Sequence, residues 1–293
     1  MLRALWVFAG IAAVLSIYLA LQEPLNSGPW QPGQTRTPIA EISGRTLSIT
    51  DVRDFTYAPD STEIIDRRYV DKTYDLDELQ RVWFGLSHFG PYGMAHSFLS
   101  FEFTSGENLV LSLEARLRPD QSYSPTLGLM RLYTKIYVMA TERDVIGLRT
   151  QHRGERVLLY PIVSYRNSSP EAFLRTFLAD LNALATMPAF YNTILDNCLT
   201  NLLKNSASSD EIGFADLRVL LPGRSDRLTY IFGATPDSMP FETARAMATI
   251  KPETTSTDDG EFSTKIRCGW APLFPELAEA CEAVLPLANE ATP

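Results

Sequence analysis

Histidine and cysteine are scarce in this chain, three of each among 293 residues. The histidines, His88, His96 and His152, lie too scattered for a ligand spacing such as H-x-x-x-H, so neither a metal centre nor another cofactor is expected. Positive charge is also in deficit. Twenty-six Lys and Arg stand against 35 Asp and Glu, a net charge of −9, which argues against nucleic acid as a partner because phosphate binding needs a basic surface. No internal repeat of solenoid length and no low-complexity run interrupts the chain. What is left is an ordinary globular composition, 45% hydrophobic, that can bury a real core.

Charge is absent altogether from residues 4 to 21, ALWVFAGIAAVLSIYLAL, just after Arg3. Eighteen apolar residues come close to the length that crosses a bilayer as a helix. A secretory signal would have a shorter apolar core and a small-x-small cleavage site, and YLALQEPL offers none. Residues 1–24 are therefore expected to form an uncleaved signal anchor, with the cytoplasmic membrane as a partner and the rest of the chain on its outer side. Residues 25–45, rich in Pro, Gly, Gln and Thr, are expected as a linker. Residues 46–235 are expected as one domain and 236–293 as a helical extension.

In an oxidising compartment three cysteines suggest one pair and one free thiol. Cys268 and Cys281, near each other in the C-terminal segment, are the expected pair if a bridge forms, and Cys198 is then free. A free thiol kept there is either buried or functional. Cys198 lies in YNTILDNCLTNLL, where Asn192, Asp196 and Asn197 precede it and Leu199, Leu202 and Leu203 follow at helical spacing. A cysteine in the first turn of a helix meets the positive end of the macrodipole, which lowers its pKa. Asn197 either caps that helix or donates to an oxyanion.

Strands in the middle with helices segregated after them suggest an α+β fold. RTLSITDVRDFTY, HSFLSFEF, NLVLSLEARLR, DVIGLRT and RVLLYPIV read as strands. SPEAFLRTFLADLNALATMP reads as an amphipathic helix capped by Ser168 or Ser169, and ADLRVLLPGRSDRLTYIFG as a helix-turn-helix. In the hairpin from 96 to 118, stacking the apolar sets of both strands on one face calls for a three-residue loop, Ser105-Gly106-Glu107. That register sets 104 against 108 and His96 against Arg116, with Glu114 diagonal to His96. The other face then carries His96, Ser100, Glu102, Ser112, Glu114 and Arg116. A histidine beside a carboxylate is the arrangement of a general base with its orienting partner. Arg116 is open to serving a phosphate, a carboxylate or Glu114. Arg143 and Asp144 are expected to pair as ions, and His152 to lie on the surface.

VRDFTYAPD, AHSFLSFEF, LSLEARLR, ERDVIGLRT, LYPI, FYNTILDNCLTNLL and DLRVLLPGRSDRLTY together resemble the bacterial extracytoplasmic domain family typified by Lnb, over roughly residues 48 to 233. The order of His before Asn-Cys at a helix start also resembles circularly permuted papain-like enzymes. The resemblance implies a permuted papain-like fold behind one transmembrane helix, with Cys198 as nucleophile, His96 as base and Glu114 as orienting acid. It further implies acyl transfer on a lipid-modified substrate, lipoproteins being the expected class, through an acyl-thioester. Two other readings remain open from the residues: a papain-like peptidoglycan amidase or peptidase, and a non-enzymatic envelope binding domain in which Cys198 is packing.

Overall fold

The computed structural model describes residues 2–91, 93–165, 169–205 and 222–285. A mixed sheet, antiparallel except at one contact, runs in the order β1-β2-β7-β6-β5-β4-β8, with β3 also paired to β2. The strands are β1 (Ala40–Ser43), β2 (Thr46–Tyr57), β3 (Ile64–Asp75), β4 (Leu79–His88), β5 (Ala95–Phe103), β6 (Asn108–Arg116), β7 (Thr134–Ala140) and β8 (Arg156–Pro161). Helices α1 (Leu2–Ala20), α2 (Pro125–Leu129), α3 (Glu142–Gly147), α4 (Pro170–Thr186) and α5 (Cys198–Asn205) are joined by α6 (Ser225–Ile231), α7 (Phe241–Ala248), α8 (Phe262–Lys265) and α9 (Pro275–Val284).

The amphipathic pattern of α4 does what it promised. Phe173, Phe177, Leu181 and Leu184 are buried in the apolar core with Leu99, Phe101, Leu111 and Leu113 of the central hairpin. Ser169 caps the helix by accepting from the Ala172 amide; Ser168 lies outside the described residues, as does the first half of the expected helix-turn-helix up to Leu221. Opposite that core the hairpin presents Ser100 and Glu102. Ser100 donates to Glu142 at 2.5 Å, and Glu102 accepts from the Trp83 indole at 2.7 Å.

Four expectations need correction. ERDVIGLRT is helical: Thr141 caps α3 by accepting from the Asp144 amide, and the helix widens into a π-helical turn over Leu148–His152. A short apolar run does not separate strand from helix by period, and the cap decided it. Arg143 pairs with Asp54, while Asp144 is held by buried Arg53 at 2.8 Å. His152 is half-buried against Tyr57, the ring centroids 5.5 Å apart.

The fourth is the hairpin register. Leu99 faces Leu111 and Phe101 faces Leu109, two residues from the expected pairing. The loop is Thr104-Ser105-Gly106, closed by the Phe103 amide donating to Glu107 O and the Gly106 amide to Phe103 O. Gly106 takes φ +85° at the last loop position, where a three-residue hairpin needs the left-handed region. A slip of two keeps every side chain on its expected face.

Residues 25–45 are held against the domain. Asn26 donates to the last turn of α4 through Leu184 O and Ala185 O, Gln34 is buried, and β1 joins the sheet at Ala40. The C-terminal segment is docked too. The Trp270 indole, fully buried, donates to Leu159 O on β8, and Arg267 reaches Glu142 and Asn108. Cys268 and Cys281 are bridged, and Cys198 is free and buried. Among the described residues no helix is long and apolar enough to cross a membrane; along α1 the apolar side chains Trp6, Ile11, Val14 and Ile17 stand exposed.

Candidate functional site

A cavity of about 460 Å³ opens where the start of β5, the end of β6, the π-helical turn and the start of α5 converge. His96, Glu114, Arg149 and Cys198 all line it, and so do Tyr123 and Tyr191.

Cys198 owes its place to local capping. Asn197 Oδ1 accepts from the amides of Leu199 and Thr200 at 2.9 Å each, and the Asn197 amide donates to Thr200 Oγ1 at 2.8 Å. Asn197 is therefore the N-cap and Cys198 the first residue of α5. Asn197 Nδ2 also donates to Thr193 O at 2.6 Å. Of the two roles open for Asn197, capping is the one its contacts fill. The helix is fixed to the sheet by Tyr137 on β7, whose hydroxyl lies 2.5 Å from Asp180 and 2.7 Å from Asn201. The Cys198 amide, in the open first turn of α5, is directed toward its own sulfur.

Burial pushes the Cys198 thiol above its ordinary pKa, against the opposing pull of Ser97 on β5 and the amides of Cys198 and Leu199. The Ser97 hydroxyl lies beside the thiol and has no hydrogen-bond partner of normal geometry among the described residues. The helix start was expected to favour thiolate, and the sign is reversed. Removing the thiolate from water costs more than one turn of amides returns.

On β5, His96 Nε2 lies 2.7 Å from the Ser112 hydroxyl of β6. Ser112 in turn donates to Glu114 Oε1 at 3.1 Å. A hydroxyl has one proton to give, and Glu114 takes it, so Ser112 accepts from His96 Nε2–H. The tautomer is thereby set, and Nδ1 keeps its lone pair. Nδ1 makes no hydrogen bond among the described residues. Burial, with Arg149 and Arg153 adding repulsion, pushes the His96 pKa down to about 3. The resting pair is thus a neutral thiol and a neutral imidazole.

Glu114 keeps its charge. Arg53 and Arg149 outweigh the cost of burial and hold its pKa at about 2, and Gln34 Nε2 donates to Oε2 at 2.9 Å. Arg149 approaches Glu114 at 3.7 Å from the π-helical turn. Arg116 is absent from this arrangement. Its guanidinium donates to the carbonyls of Gln34 and Asn26 and lies over the Trp30 ring, clamping the 25–45 segment. It faces neither Glu114 nor the cavity. His88 also stays outside, its Nε2 3.1 Å from Gly223 O.

The site's unpredicted members are Ser112 as go-between, Ser97, Arg149 and the tyrosines. Ser112 was on the expected polar face of β6, so its parity was visible, but a two-residue error in register hid its contact with His96. Tyr191 stands seven residues before Cys198 in the quoted stretch. Tyr123 and Arg149 come from segments whose approach to the cavity no periodicity announces. Among the described residues no cluster of His, Cys, Asp and Glu is able to hold a metal ion.

A family model described as the Lnb N-terminal periplasmic domain matches residues 66–227, over half the chain and inclusive of every residue of this hydrogen-bonded core except Gln34 and Arg53. No curated protein and no solved structure matches.

Proposed function

This chain belongs to the Lnb N-terminal periplasmic domain family, and from that premise we propose a membrane-anchored cysteine acyltransferase acting on lipid-modified substrates, lipoproteins first among them. The observation that carries the reading is one cavity lined by both Cys198, first residue of a capped helix, and His96, whose free Nδ1 is set by Ser112 and Glu114. A helix-borne thiol and a strand-borne imidazole with a polar orienter are the parts of a circularly permuted papain-like site.

In the proposed reaction Cys198 Sγ attacks an ester carbonyl while its proton passes to His96 Nδ1. A neutral resting thiol makes these one concerted event, because no standing thiolate is available at neutral pH. The carbonyl oxygen becomes an oxyanion, with the Cys198 amide at the start of α5 and the Tyr123 hydroxyl as its proposed donors. The ester C–O bond then breaks, and the departing alkoxide takes the proton from His96. An amine attacks the resulting thioester, His96 removes its proton, and the thiol regains it on leaving. Glu114, held ionised, stabilises the imidazolium through Ser112 in both halves.

Phe89, Leu117 and Leu148 offer an acyl chain apolar contact, while Arg53, Arg149, Arg153 and Glu155, lining the same cavity, face the polar end of a substrate. The anchor is part of the same reading. It rests on the sequence, where the eighteen residues from 4 to 21 carry no charge and approach the length a spanning helix needs. Anchoring raises the effective concentration of lipid substrates at the site.

The test is acyl-enzyme trapping. The full chain is incubated with a diacylated lipopeptide, quenched in acid, and the peptide carrying Cys198 is weighed. An acyl adduct on Cys198 in the wild type, missing in Cys198→Ala, is expected. An equal adduct in both would remove Cys198 as nucleophile.

A further inference from the structure

Beside the cavity the surface carries a cluster of apolar side chains that the chemistry above does not use. Leu127 and Leu129 on α2, Met130 just after it, and Ile194 and Leu195 before α5 are all exposed, Leu195 by 55%. These two segments form one lip. Thr193 Oγ1 donates to Pro125 O at 2.7 Å, and a Cβ at Gly128 would collide with Thr193 Oγ1 at 2.2 Å. The turn holds its apolar residues outward by construction. Asn192 and Asp196 pair through their backbones, and Asn192 Oδ1 accepts from the amides of Ile194 and Leu195 at 3.0 and 2.9 Å. With Leu127, Leu129 and Met130 alongside, Ile194 and Leu195 make a clustered apolar patch of the kind that marks an interaction surface.

The lip lies between the cavity and the end of α1. On one side Tyr191, two residues before Thr193, lines the cavity with Tyr123. On the other, Arg131 sits over the Phe190 ring at 5.2 Å and donates from Nη1 to Leu19 O at 3.2 Å. Arg131 holds φ +56°, a left-handed backbone that turns the chain sharply as α2 ends. Beyond Leu19 the segment is pinned again, the Leu25 amide donating to Thr134 Oγ1. Exposed apolar residues thus flank the Arg131–Leu19 contact, Leu21 and α1 on one side and α2 and the 192–196 turn on the other, with the guanidinium between them as an arginine at headgroup level would be.

We infer that α2 and the 192–196 turn form a membrane-docking lip, which inserts Leu127, Leu129, Met130, Ile194 and Leu195 into the outer leaflet of the bilayer that holds α1. The inference rests on reading α1 as the anchor, and does not depend on the acyl chemistry. The occupant is lipid, because the lip continues the apolar helix itself and carries an arginine at its edge. In that pose the Tyr123–Tyr191 wall of the cavity meets the leaflet, and an acyl ester enters without leaving the lipid phase.

The experiment uses the full chain reconstituted in phosphatidylcholine vesicles doped with a phosphatidylcholine whose acyl chain carries a diazirine. After photolysis, peptide mapping locates the inserted lipid. Adducts on the segments 127–130 and 194–195, in addition to α1, are expected; exposed Ile65 on β3 serves as the unlabelled control. Labelling confined to α1 overturns the inference. In Leu129→Glu/Leu195→Glu, lip labelling should fall about tenfold with α1 labelling unchanged, since two charges oppose insertion; labelling that survives both charges also overturns it. Alkylation of Cys198 by iodoacetamide in that variant should match the wild type, which checks that the site is intact. Lip labelling in a chain that traps no acyl group supports the lip and removes only the acyl-transfer reading.

Discussion

Ser112 stands between His96 and Glu114, accepting from the imidazole at 2.7 Å and donating to the carboxylate at 3.1 Å. A histidine and a carboxylate expected to meet directly are instead joined through one hydroxyl, which fixes the tautomer by having a single proton to give. Removing that hydroxyl leaves His96 free to carry its proton on Nδ1, where it could not serve as the base of the proposed reaction. Ser112→Ala should lower kcat roughly 10- to 100-fold, the worth of one hydrogen bond to a charged system. Ser112→Thr, which keeps the hydroxyl, should recover most of it. Equal losses in both variants would mean that packing, not the hydroxyl, is at stake.

Cys198 should be slow toward water-soluble alkylating agents at neutral pH. Its thiol is pushed up by burial, so the iodoacetamide rate should keep climbing above the pH at which an ordinary thiol levels off. A rate already at its plateau near pH 7 would establish a standing thiolate and contradict the neutral pair.

The same burial predicts acid sensitivity. His96 falls from 6.5 to about 3 on folding, so the unfolded chain takes up a proton first and stability drains as pH drops from about 6.5 toward 3. Glu114 falls from 4.5 to about 2, and its contribution is lost in the lower window between those values. Urea midpoints measured from pH 7 to 4 should decline less steeply in His96→Gln than in the wild type. Parallel slopes would show that other groups govern the acid limb.

Asn197→Ala tests the cap apart from chemistry. Two amides lose their acceptor, and the change should cost about 1 kcal/mol of stability. Asn197→Asp and Asn197→Ser keep an acceptor and should lose much less. Thermal melts of the three decide it.

Arg267 and Glu142 form a buried ion pair that fastens the C-terminal segment beneath β5. Breaking it by Glu142→Ala leaves an uncompensated guanidinium in the interior and should cost about 3–5 kcal/mol, while the double change with Arg267→Met should restore part of the loss. Additive losses in a double-mutant cycle would argue that the two do not act as a pair.

Much of the site was legible in local pattern. The alternation of the hairpin put His96, Ser112 and Glu114 on one face, and a two-residue slip cannot disturb that, because side chains alternate with period two. The third-position glycine that sets the true register was also present in TSGE, and reading Gly106 as the left-handed residue recovers it. The cap before α5 was equally visible, since Asn197, Leu199 and Thr200 are neighbours in sequence and their geometry is closed by nearby atoms.

Tertiary structure decided what neighbours in sequence cannot. Arg149 entered the site only because ERDVIGLRT coiled into a helix and widened into a π-helical turn against Glu114, a contact 35 residues away along the chain. The sign of the thiol's shift was likewise decided in three dimensions, because desolvation depends on how much protein closes over Cys198 and the macrodipole does not. Sequence by itself determined which groups were available, their faces and the helix start that holds the cysteine. The meeting of thiol and imidazole in one cavity, the hydroxyl between base and acid, and the apolar lip beside them depended on long-range packing.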